Sequence, residues 1–180
     1  HQLQTALGYP FIRHICNSAA VSRFPQAQLD MVRLGIGLYG ISPDPLVQKM
    51  LRHVSTFKSI VSQVKRIEKG QTVGYSRAWV ALQDTEIAII PVGYADGLNR
   101  RLGNGRGQLL VNGKRAAIVG NISMDSCALD VTGLGVKPGD EVIVFGPERP
   151  VTDFAGDLET IPYEVLTSVS QRVKRVYFQE

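Results

Sequence analysis

From about residue 55 onward, the sequence is a succession of short apolar segments separated by turn residues. Short strands at regular spacing are typical of a small β-barrel or β-sandwich. The clearest turn is Asn112-Gly113, because these residues readily supply the two positive φ angles of a type I′ hairpin. The pattern predicts strands over residues 57–67, 78–82, 85–92, 127–131, 141–145 and 173–178, and a hairpin over 109–119. Short helices are expected to start at Thr152, as an N-cap, and at Pro162, as a first helical residue.

The first 50 residues carry a different pattern. Residues 11–16 predict a short strand, the segment after Asn17 predicts a helix, and residues 31–40 predict a second strand. Such a strand–helix–strand unit is one repeat of a TIM-type α/β barrel, and a single repeat cannot close a barrel. The proline-bounded segment 42–45 is predicted to be a linker. The predicted fold is therefore mainly β, with a barrel-like β domain over residues 51–180 preceded by this unit in residues 1–50.

Composition excludes several classes of protein. Cys16 and Cys127 lie far apart and the chain has only 3 histidines, so we expect two buried, reduced thiols, no metal site and a cytoplasmic location. No apolar run reaches the roughly 18 residues that a membrane helix needs. The net charge of +4 comes from scattered basic residues without interleaved aromatic ones, so no nucleic-acid partner is expected. The chain starts at His1 without a signal-peptide pattern, and we expect it to be cut from a longer one.

Two features of the first 50 residues suit an anion. Ser18 stands where a helix is predicted to begin, so it is a candidate N-cap and a candidate phosphate ligand. If residues 31–40 are extended, Arg33, Gly35 and Gly37 share one face of the strand. Two glycines beside an arginine weaken a strand unless a ligand must approach its backbone closely.

The segment Thr72–Arg77 offers a candidate base. If it is extended, Tyr75 and Arg77 lie on the same side of a strand. A tyrosine has an unperturbed pKa of about 10, so it needs a nearby cation to favour the phenolate. Arg77 or an arginine from elsewhere in the fold would supply that charge. The alternative is a half-buried strand tyrosine beside an arginine whose charged end reaches water.

Six blocks in order resemble the pyridoxal-phosphate-dependent alanine racemases. They are HICNSAA at 14–20, MVRLGIGLYG at 31–40, VGY at 73–75, PVGYADG at 91–97, VGNISMD at 119–125, and IPYEV at 161–165 with Arg172-Val173. The resemblance implies the last strand–helix–strand unit of a cofactor-binding α/β barrel followed by a C-terminal β domain. The family's cofactor-binding lysine lies near the start of that barrel, in a motif that this chain lacks. We therefore expect this chain to be inactive alone.

The resemblance also implies roles for individual residues. Tyr75 would be one of two bases on opposite faces of the substrate α-carbon, the missing lysine being the other. Arg33 would face the pyridine nitrogen of pyridoxal phosphate without giving up its proton. Ser18, the backbone of Gly35 and Ile36, and the hydroxyl of Tyr163 would hold the cofactor phosphate.

Further implied roles concern the substrate and the assembly. Tyr94 would line the entrance to the site, and Met124 and Asp125 would lie near the carboxylate of the substrate alanine. Asp96 and Arg100 are expected to order their loop. Family members are homodimers with shared active sites, so Tyr75, Tyr94 and Met124 would serve the site of the partner subunit.

The sequence departs from the family at two positions beside the candidate base. Ser76 stands where glycine is common, and Trp79 stands where tyrosine is common. These departures leave racemisation of another small amino acid, such as serine, as an alternative. A non-racemase of the same architecture, such as a decarboxylase, is a second alternative. A third is a separate β module that binds a protein or a nucleic acid.

Overall fold

The computed structural model describes residues 2–178, which form two compact units. The first unit ends at Ser55 and the second begins at Thr56. A compact unit is not by itself a domain, so the domain division after residue 50 stays a prediction.

The first unit is built around a pair of parallel strands. Its helices and strands are α1 (Gln2–Leu7), β1 (His14–Asn17), α2 (Ser18–Arg23), β2 (Met31–Arg33) and α3 (Pro45–Gln48), with 3-10 turns at Pro25–Ala27 and Ile36–Tyr39. Strands β1 and β2 pair in parallel, with His14 opposite Met31 and Asn17 opposite Arg33. The predicted strand–helix–strand unit is therefore confirmed.

An arginine–aspartate pair joins the starts of the two parallel strands. Arg13 precedes β1 and Asp30 precedes β2. The guanidinium of Arg13 donates to both carboxylate oxygens of Asp30, each over 2.8 Å, and the Arg13 backbone N–H donates to the same carboxylate over 3.0 Å. These hydrogen bonds hold the pKa of Asp30 well below its usual range.

Two strands predicted for the first unit are wrong in their bounds. The first strand lies at His14–Asn17, not at residues 11–16. The second strand ends at Arg33, so Arg33, Gly35 and Gly37 do not share one strand face. It ends there because the N–H groups of Gly35 and Gly37 bond to a side chain instead of a neighbouring strand.

The predicted linker over residues 42–45 leads directly into a short helix. The side chain of Asp44 accepts a hydrogen bond from the N–H of Leu46 over 2.9 Å and so caps the start of α3. Pro45 takes the first helical position, where its missing N–H has no cost.

The second unit is a curled antiparallel sheet with two helices. Its strands and helices are β3 (Phe57–Ile60), β4 (Gln63–Ile67), β5 (Thr72–Val73), β6 (Trp79–Val80), β7 (Thr85–Ile90), β8 (Gln108–Val111), β9 (Lys114–Val119), β10 (Cys127–Asp130), β11 (Glu141–Phe145), α4 (Val151–Asp157) and α5 (Pro162–Ser168). Seven strands form one sheet in the order β3-β11-β8-β9-β10-β7-β4, and β5 pairs with β6. Strands β3 and β4 are consecutive in the chain, yet they lie at opposite edges of that sheet.

The chain passes from one sheet edge to the other at Val61-Ser62. The N–H of Val61 donates to the carbonyl of Asp140 over 2.8 Å, and the N–H of Ser62 donates to the carbonyl of Ile89 over 2.9 Å. The sheet must curl until its two edges meet at this corner, which confirms the barrel-like β fold. The single strand predicted over residues 57–67 is therefore wrong, because the corner divides it into two.

The core of the second unit lies inside the curled sheet and under α4. Fully buried apolar side chains line it, including Ile90, Leu109, Ile118, Leu129, Val142 and Phe154. Each contributes about 1.5–3 kcal/mol when it leaves water. The rings of Phe57, Phe145 and Phe154 pack edge to face in succession, with centroids 5.7 and 6.0 Å apart. These contacts attach α4 to the strands beneath it.

The other local predictions have mixed outcomes. The Asn112-Gly113 hairpin is confirmed, with φ angles of 50° and 73°, and α5 begins at Pro162 as expected. Helix α4 begins at Val151 after Pro150, so Thr152 is not its N-cap. Residues 173–178 do not form the predicted strand and have no regular secondary structure. The Arg175 guanidinium instead bonds to the carbonyls of Val169, Ser170 and Val173.

Both cysteines are free and buried, as predicted. Burial raises the pKa of the Cys127 thiol to about 12, because the thiolate would lose its hydration. The thiol of Cys16 donates to the carbonyl of Ala27 over 3.1 Å. Within residues 2–178, no helix has both the length and the apolar character that crossing a membrane would take.

We expect neither thiol to react with a disulfide reagent while the protein is folded. At pH 8 the native chain should be modified at least about a hundredfold more slowly than the chain in denaturant, because a buried thiol reacts only after an opening event. The measurement is the absorbance of released thionitrobenzoate over time. Rapid modification of Cys127 in the native protein would contradict its burial.

Candidate active site

The first group of candidate residues surrounds the hydroxyl of Ser18. The side chain of Asn17 accepts from the N–H of Ala20 over 3.1 Å, so Asn17 is the N-cap of α2 and the prediction of Ser18 as cap is wrong. The Ser18 Oγ instead accepts from the N–H of Gly35 over 2.8 Å and from the N–H of Gly37 over 3.2 Å. The serine therefore connects the start of α2 to the turn that follows β2.

This arrangement suits an anion. A hydroxyl has two acceptor lone pairs and one hydrogen. Both lone pairs of Ser18 are occupied by glycine N–H groups, so its hydrogen is left to donate. A Cβ on Gly37 would lie 3.4 Å from Ser18 Oγ, so the backbone already touches the hydroxyl. The donor chemistry of the residues present therefore fits a phosphate group.

Arg33 lies at the same end of the parallel strand pair. It is the last residue of β2 and is paired with Asn17, the last residue of β1, directly before Ser18. Gly35 and Ile36 follow in the turn after β2. The carboxyl ends of parallel strands are where α/β folds place their ligands. The structure thus brings Ser18, Arg33, Gly35 and Ile36 to one strand end, although not on the predicted strand face.

The second group includes Tyr75, whose backbone is not extended. Strand β5 ends at Val73, and Tyr75–Arg77 form a 3-10 turn in which Ser76 has φ 62° and Arg77 has φ 51°. The predicted alternation of Tyr75 and Arg77 on one side of a strand is therefore wrong. Tyr75 is 68% exposed.

Two glycines explain why the chain turns before Tyr75. A Cβ on Gly74 would lie 2.8 Å from the backbone nitrogen of Asn121, and a Cβ on Gly120 would lie 2.7 Å from the carbonyl oxygen of Val73. Both have positive φ, which glycine adopts without steric cost. Main chain thus packs on main chain here, and the turn that carries Tyr75 rests directly on the segment before Met124.

The segments of Tyr94 and Met124 are also joined through their backbones. The N–H of Tyr94 donates to the carbonyl of Ser123, and the N–H of Ala95 donates to the carbonyl of Met124, each over 3.0 Å. A Cβ on Gly93 would lie 2.3 Å from the Met124 carbonyl oxygen. Both candidate side chains, Tyr94 and Met124, remain about half exposed at this junction.

Arg172 binds two aspartates beside this junction, and we call the three residues the Arg172 clasp. Its Nε donates to Asp96 over 2.7 Å, and its Nη2 donates to Asp125 over 2.5 Å. Asp96 also accepts the N–H of Gly93 over 2.8 Å. The predicted loop-ordering role of Asp96 has a physical basis in these bonds.

Opposing influences act on Asp96. Its partial burial tends to raise the pKa of the carboxyl, but the hydrogen bonds from Arg172 and Gly93 outweigh that influence and leave the pKa below its usual value. The same two carboxylates raise the pKa of Arg172 further above its already high value. Asp96 and Arg172 are therefore both ionised at neutral pH.

Tyr163 lies in the first turn of α5 and is partly exposed. Its carbonyl accepts from the hydroxyl of Thr167 over 2.8 Å, one helical turn later. Pro162 starts this helix and therefore sets the position of the neighbouring tyrosine.

Sequence reasoning missed the contributions of Arg172 and Asn121. Both lie in the blocks that suggested the family, but spacing alone assigned them no partner. Their contacts bridge residues that are 76 and 46 positions apart in the chain, respectively. Among residues 2–178, histidine, cysteine, aspartate and glutamate side chains nowhere gather in a group of three or more that would hold a metal ion.

The two units define a class of protein in which the end of an α/β barrel is followed, along the chain, by a curled β domain. Residues 54–177 match the family described as alanine racemase, C-terminal domain, and residues 1–43 match alanine racemase, N-terminal domain. The chain belongs to the alanine racemase family.

Individual relatives agree with this assignment. The chain is 46% identical over 171 residues to the alanine racemase of Desulforamulus reducens, covering 92% of this chain and 46% of that protein. It is 44% identical over 177 residues to that of Sorangium cellulosum, covering 93% and 46%. The chain therefore spans about half the length of these relatives.

Solved structures show the same fold. The alanine racemase of Streptomyces lavendulae, a D-cycloserine producer, matches with a TM-score of 0.89 at 35% identity, over 99% of this chain and 49% of that one. The alanine racemase of Bartonella henselae, solved with covalently bound pyridoxal phosphate, matches with a TM-score of 0.85 at 36% identity, over 98% and 50%.

We expect Gly93→Ala to destabilise the protein by about 1–3 kcal/mol or more, because its methyl group would overlap the backbone of Met124. Gly156→Ala is the matched control, since Gly156 lies in α4 with open space around its added Cβ. That control should stabilise the protein by about 0.5 kcal/mol. Urea unfolding measures both free energies. Equal effects of the two substitutions would contradict the close approach at Gly93.

We expect Arg172→Met to lower the melting temperature by about 2–4 °C at pH 7, because both aspartates lose a charged partner. The pKa of Asp96 is lower in the folded than in the unfolded chain. The stabilisation is therefore fully present above the unfolded pKa of about 4 and disappears as the pH falls through the lower folded pKa.

The difference in melting temperature between Arg172→Met and the unsubstituted chain should consequently shrink as the pH is lowered from 7 to 3. Arg66→Met is the control, because Arg66 forms an exposed ion pair with Asp84 and should contribute little at either pH. A deficit of Arg172→Met that stays constant from pH 7 to pH 3 would show that the lost ion pairs are not its cause.

Proposed function

We propose that this chain is the C-terminal part of a pyridoxal-phosphate-dependent alanine racemase, which interconverts L- and D-alanine. The observation that carries the proposal is the 42–46% identity to proteins named alanine racemase over at least 92% of the chain. The Ser18 hydroxyl of the first unit, whose hydrogen is left to donate, and the exposed Tyr75 of the second unit support it, since an anion-binding group and a proton-transferring group are both needed for this reaction.

The first unit supplies binding groups for the cofactor. The Ser18 hydroxyl and the backbone around Gly35 and Ile36 would hold the phosphate, and Tyr163 of the second unit is a further proposed ligand. When bound, pyridoxal phosphate withdraws electrons from the substrate and makes its α-proton removable. Arg33 would face the pyridine nitrogen and would leave that nitrogen unprotonated, because a guanidinium does not readily give up a proton. An unprotonated ring would restrain competing reactions.

The second unit supplies one of the two bases. The phenol of Tyr75 removes the α-proton from one face of the substrate or returns a proton to that face. A lysine of the upstream barrel, expected from the family, does the same on the opposite face. Inversion of the α-carbon requires both positions, because one base acting alone would return the proton to the side from which it came.

The remaining candidate residues serve the substrate and the assembly. Met124 and Asp125 lie near the alanine carboxylate, and Tyr94 lines the entrance. We propose a homodimer in which Tyr75, Tyr94 and Met124 act in the site of the partner subunit. The product D-alanine would supply peptidoglycan synthesis. Two buried free thiols support a reducing, cytoplasmic location.

Reconstitution tests the proposal. This chain is mixed with a separately expressed alanine racemase barrel segment that carries the cofactor lysine, together with pyridoxal phosphate. Loss of optical rotation from L-alanine is then followed. We expect activity, and we expect Tyr75→Phe to lower kcat by about 10²–10⁴-fold, because it removes a proton-transferring group.

The matched control is Tyr177→Phe, since Tyr177 is a highly exposed tyrosine outside the candidate site. It should keep full activity. Folded halves that assemble and bind cofactor but leave alanine unchanged would overturn the proposed reaction. If Tyr75→Phe were as active as the unsubstituted chain, Tyr75 could not be one of the bases.

A further inference from the structure

The turn that carries Tyr75 has an unfavourable backbone conformation. Ser76 has φ 62° and ψ 17°, and Arg77 has φ 51°. This left-handed region is uncommon for residues with a Cβ, because the Cβ comes too close to a neighbouring carbonyl oxygen. Such a conformation persists only where surrounding contacts hold it.

Asn121 provides such a contact. Its Nδ2 donates to the carbonyl oxygen of Tyr75 over 3.0 Å. Its Oδ1 accepts from Nδ2 of Asn104 over 3.0 Å, and the backbone N–H of Asn104 donates to the carbonyl of Gly120 over 2.9 Å. Because one amide group orients the next, Asn121 presents its N–H₂ to Tyr75 in a defined direction.

The bond acts on the peptide group between Tyr75 and Ser76. Rotating that peptide group would take Ser76 out of the left-handed region and would redirect the backbone that carries the Tyr75 side chain. Rotation would also turn the Tyr75 carbonyl away from Asn121 and break the hydrogen bond. The hydrogen bond from Asn121 therefore favours the observed arrangement of the Tyr75 turn over one in which this peptide group has rotated.

We propose that Asn121 is a positioning residue for Tyr75, acting through the Tyr75 carbonyl. The proposal rests on the function proposed above, in which the Tyr75 phenol is a base. The contact of Gly74 with Gly120 and the bond from the Arg77 N–H to the Gly74 carbonyl, at 3.3 Å, do not involve the Asn121 side chain. Removing the side chain thus frees the peptide group without removing the turn from the fold.

The first test measures the backbone and needs no activity. Hydrogen–deuterium exchange of the 180-residue chain is followed by mass spectrometry for Asn121→Ala and for Asn121→Asp. The aspartate retains an acceptor for Asn104 but has no N–H to donate to Tyr75. We expect exchange in residues 72–80 to accelerate by about threefold to tenfold in both variants, since each loses one hydrogen bond. The hairpin over residues 108–119 is the internal reference and should not change.

A second substitution separates positioning from general loss of structure. Ser76→Gly removes the Cβ that makes positive φ unfavourable. The glycine should therefore favour the observed turn even when the Asn121 side chain is absent. Combined with Asn121→Ala, it should return exchange in residues 72–80 close to that of the unsubstituted chain. If exchange is unchanged in Asn121→Ala, or if Ser76→Gly does not reverse its increase, the proposal is overturned.

The third test uses the reconstituted enzyme with α-deuterated L- and D-alanine. We expect Asn121→Ala to lower kcat by about tenfold with little change in KM, because a misdirected base affects proton transfer more than binding. The primary isotope effect should increase for one enantiomer only, since Tyr75 takes the proton from one face. When Ser76→Gly is combined with Asn121→Ala, both kcat and the primary isotope effect should return to the values of the unsubstituted enzyme.

The outcomes distinguish the two proposals. An unsubstituted enzyme that does not racemise alanine would overturn the proposed function, and the exchange experiment would still decide whether Asn121 holds the Tyr75 turn. An active enzyme that loses activity in Tyr75→Phe but not in Asn121→Ala would retain the function and overturn the positioning role. Equal increases of the isotope effect for both enantiomers would also overturn it, because they indicate a general distortion.

Discussion

The close approach of one main chain to another is the constraint on which the β unit's functional face depends. At Gly74, Gly93 and Gly120 an added Cβ would overlap the backbone of a neighbouring segment. A contact between backbones has no side-chain rotamers to vary, so it defines the path of each loop closely. The side chains that follow, Tyr75 and Tyr94, can therefore remain exposed while their starting points are held. An exposed group on a held backbone can meet a substrate without first being ordered.

Hydrogen bonds and ion pairs between side chains further fix the loops that the backbone contacts bring together. Arg172 joins Asp96 to Asp125, and Asn121 holds the carbonyl of Tyr75. These contacts connect loops that lie far apart in the sequence. They bind charged or polar groups whose partners would otherwise be water, so their energetic contribution is modest. Their effect is on direction, since hydrogen bonds constrain the angle as well as the distance between two groups.

In the first unit, too, a polar side chain connects two loops, and here it is the hydroxyl of Ser18. Ser18 accepts two glycine N–H groups, and this brings the residue after β1 to the turn after β2. The sequence predicted Ser18 at the start of a helix and Gly35 and Gly37 on one face of a long strand. The strand ends early because its N–H groups find a side-chain partner, and a bond of that kind cannot be read from alternation. The sequence thus predicted that these residues lie together, but with the wrong local geometry.

Local sequence determined the features that depend on neighbours in the chain. Asn112-Gly113 specifies a hairpin because both residues accept positive φ, and Pro162 specifies a helix start because proline fixes φ and needs no N–H partner. Apolar segments at regular spacing likewise determined a curled β fold. Only the tertiary structure decided the corner at Val61-Ser62, the left-handed turn at Ser76 and the partners of Arg172. Each of these depends on atoms brought together from distant parts of the chain, where a specific contact outweighs the local preference of the backbone.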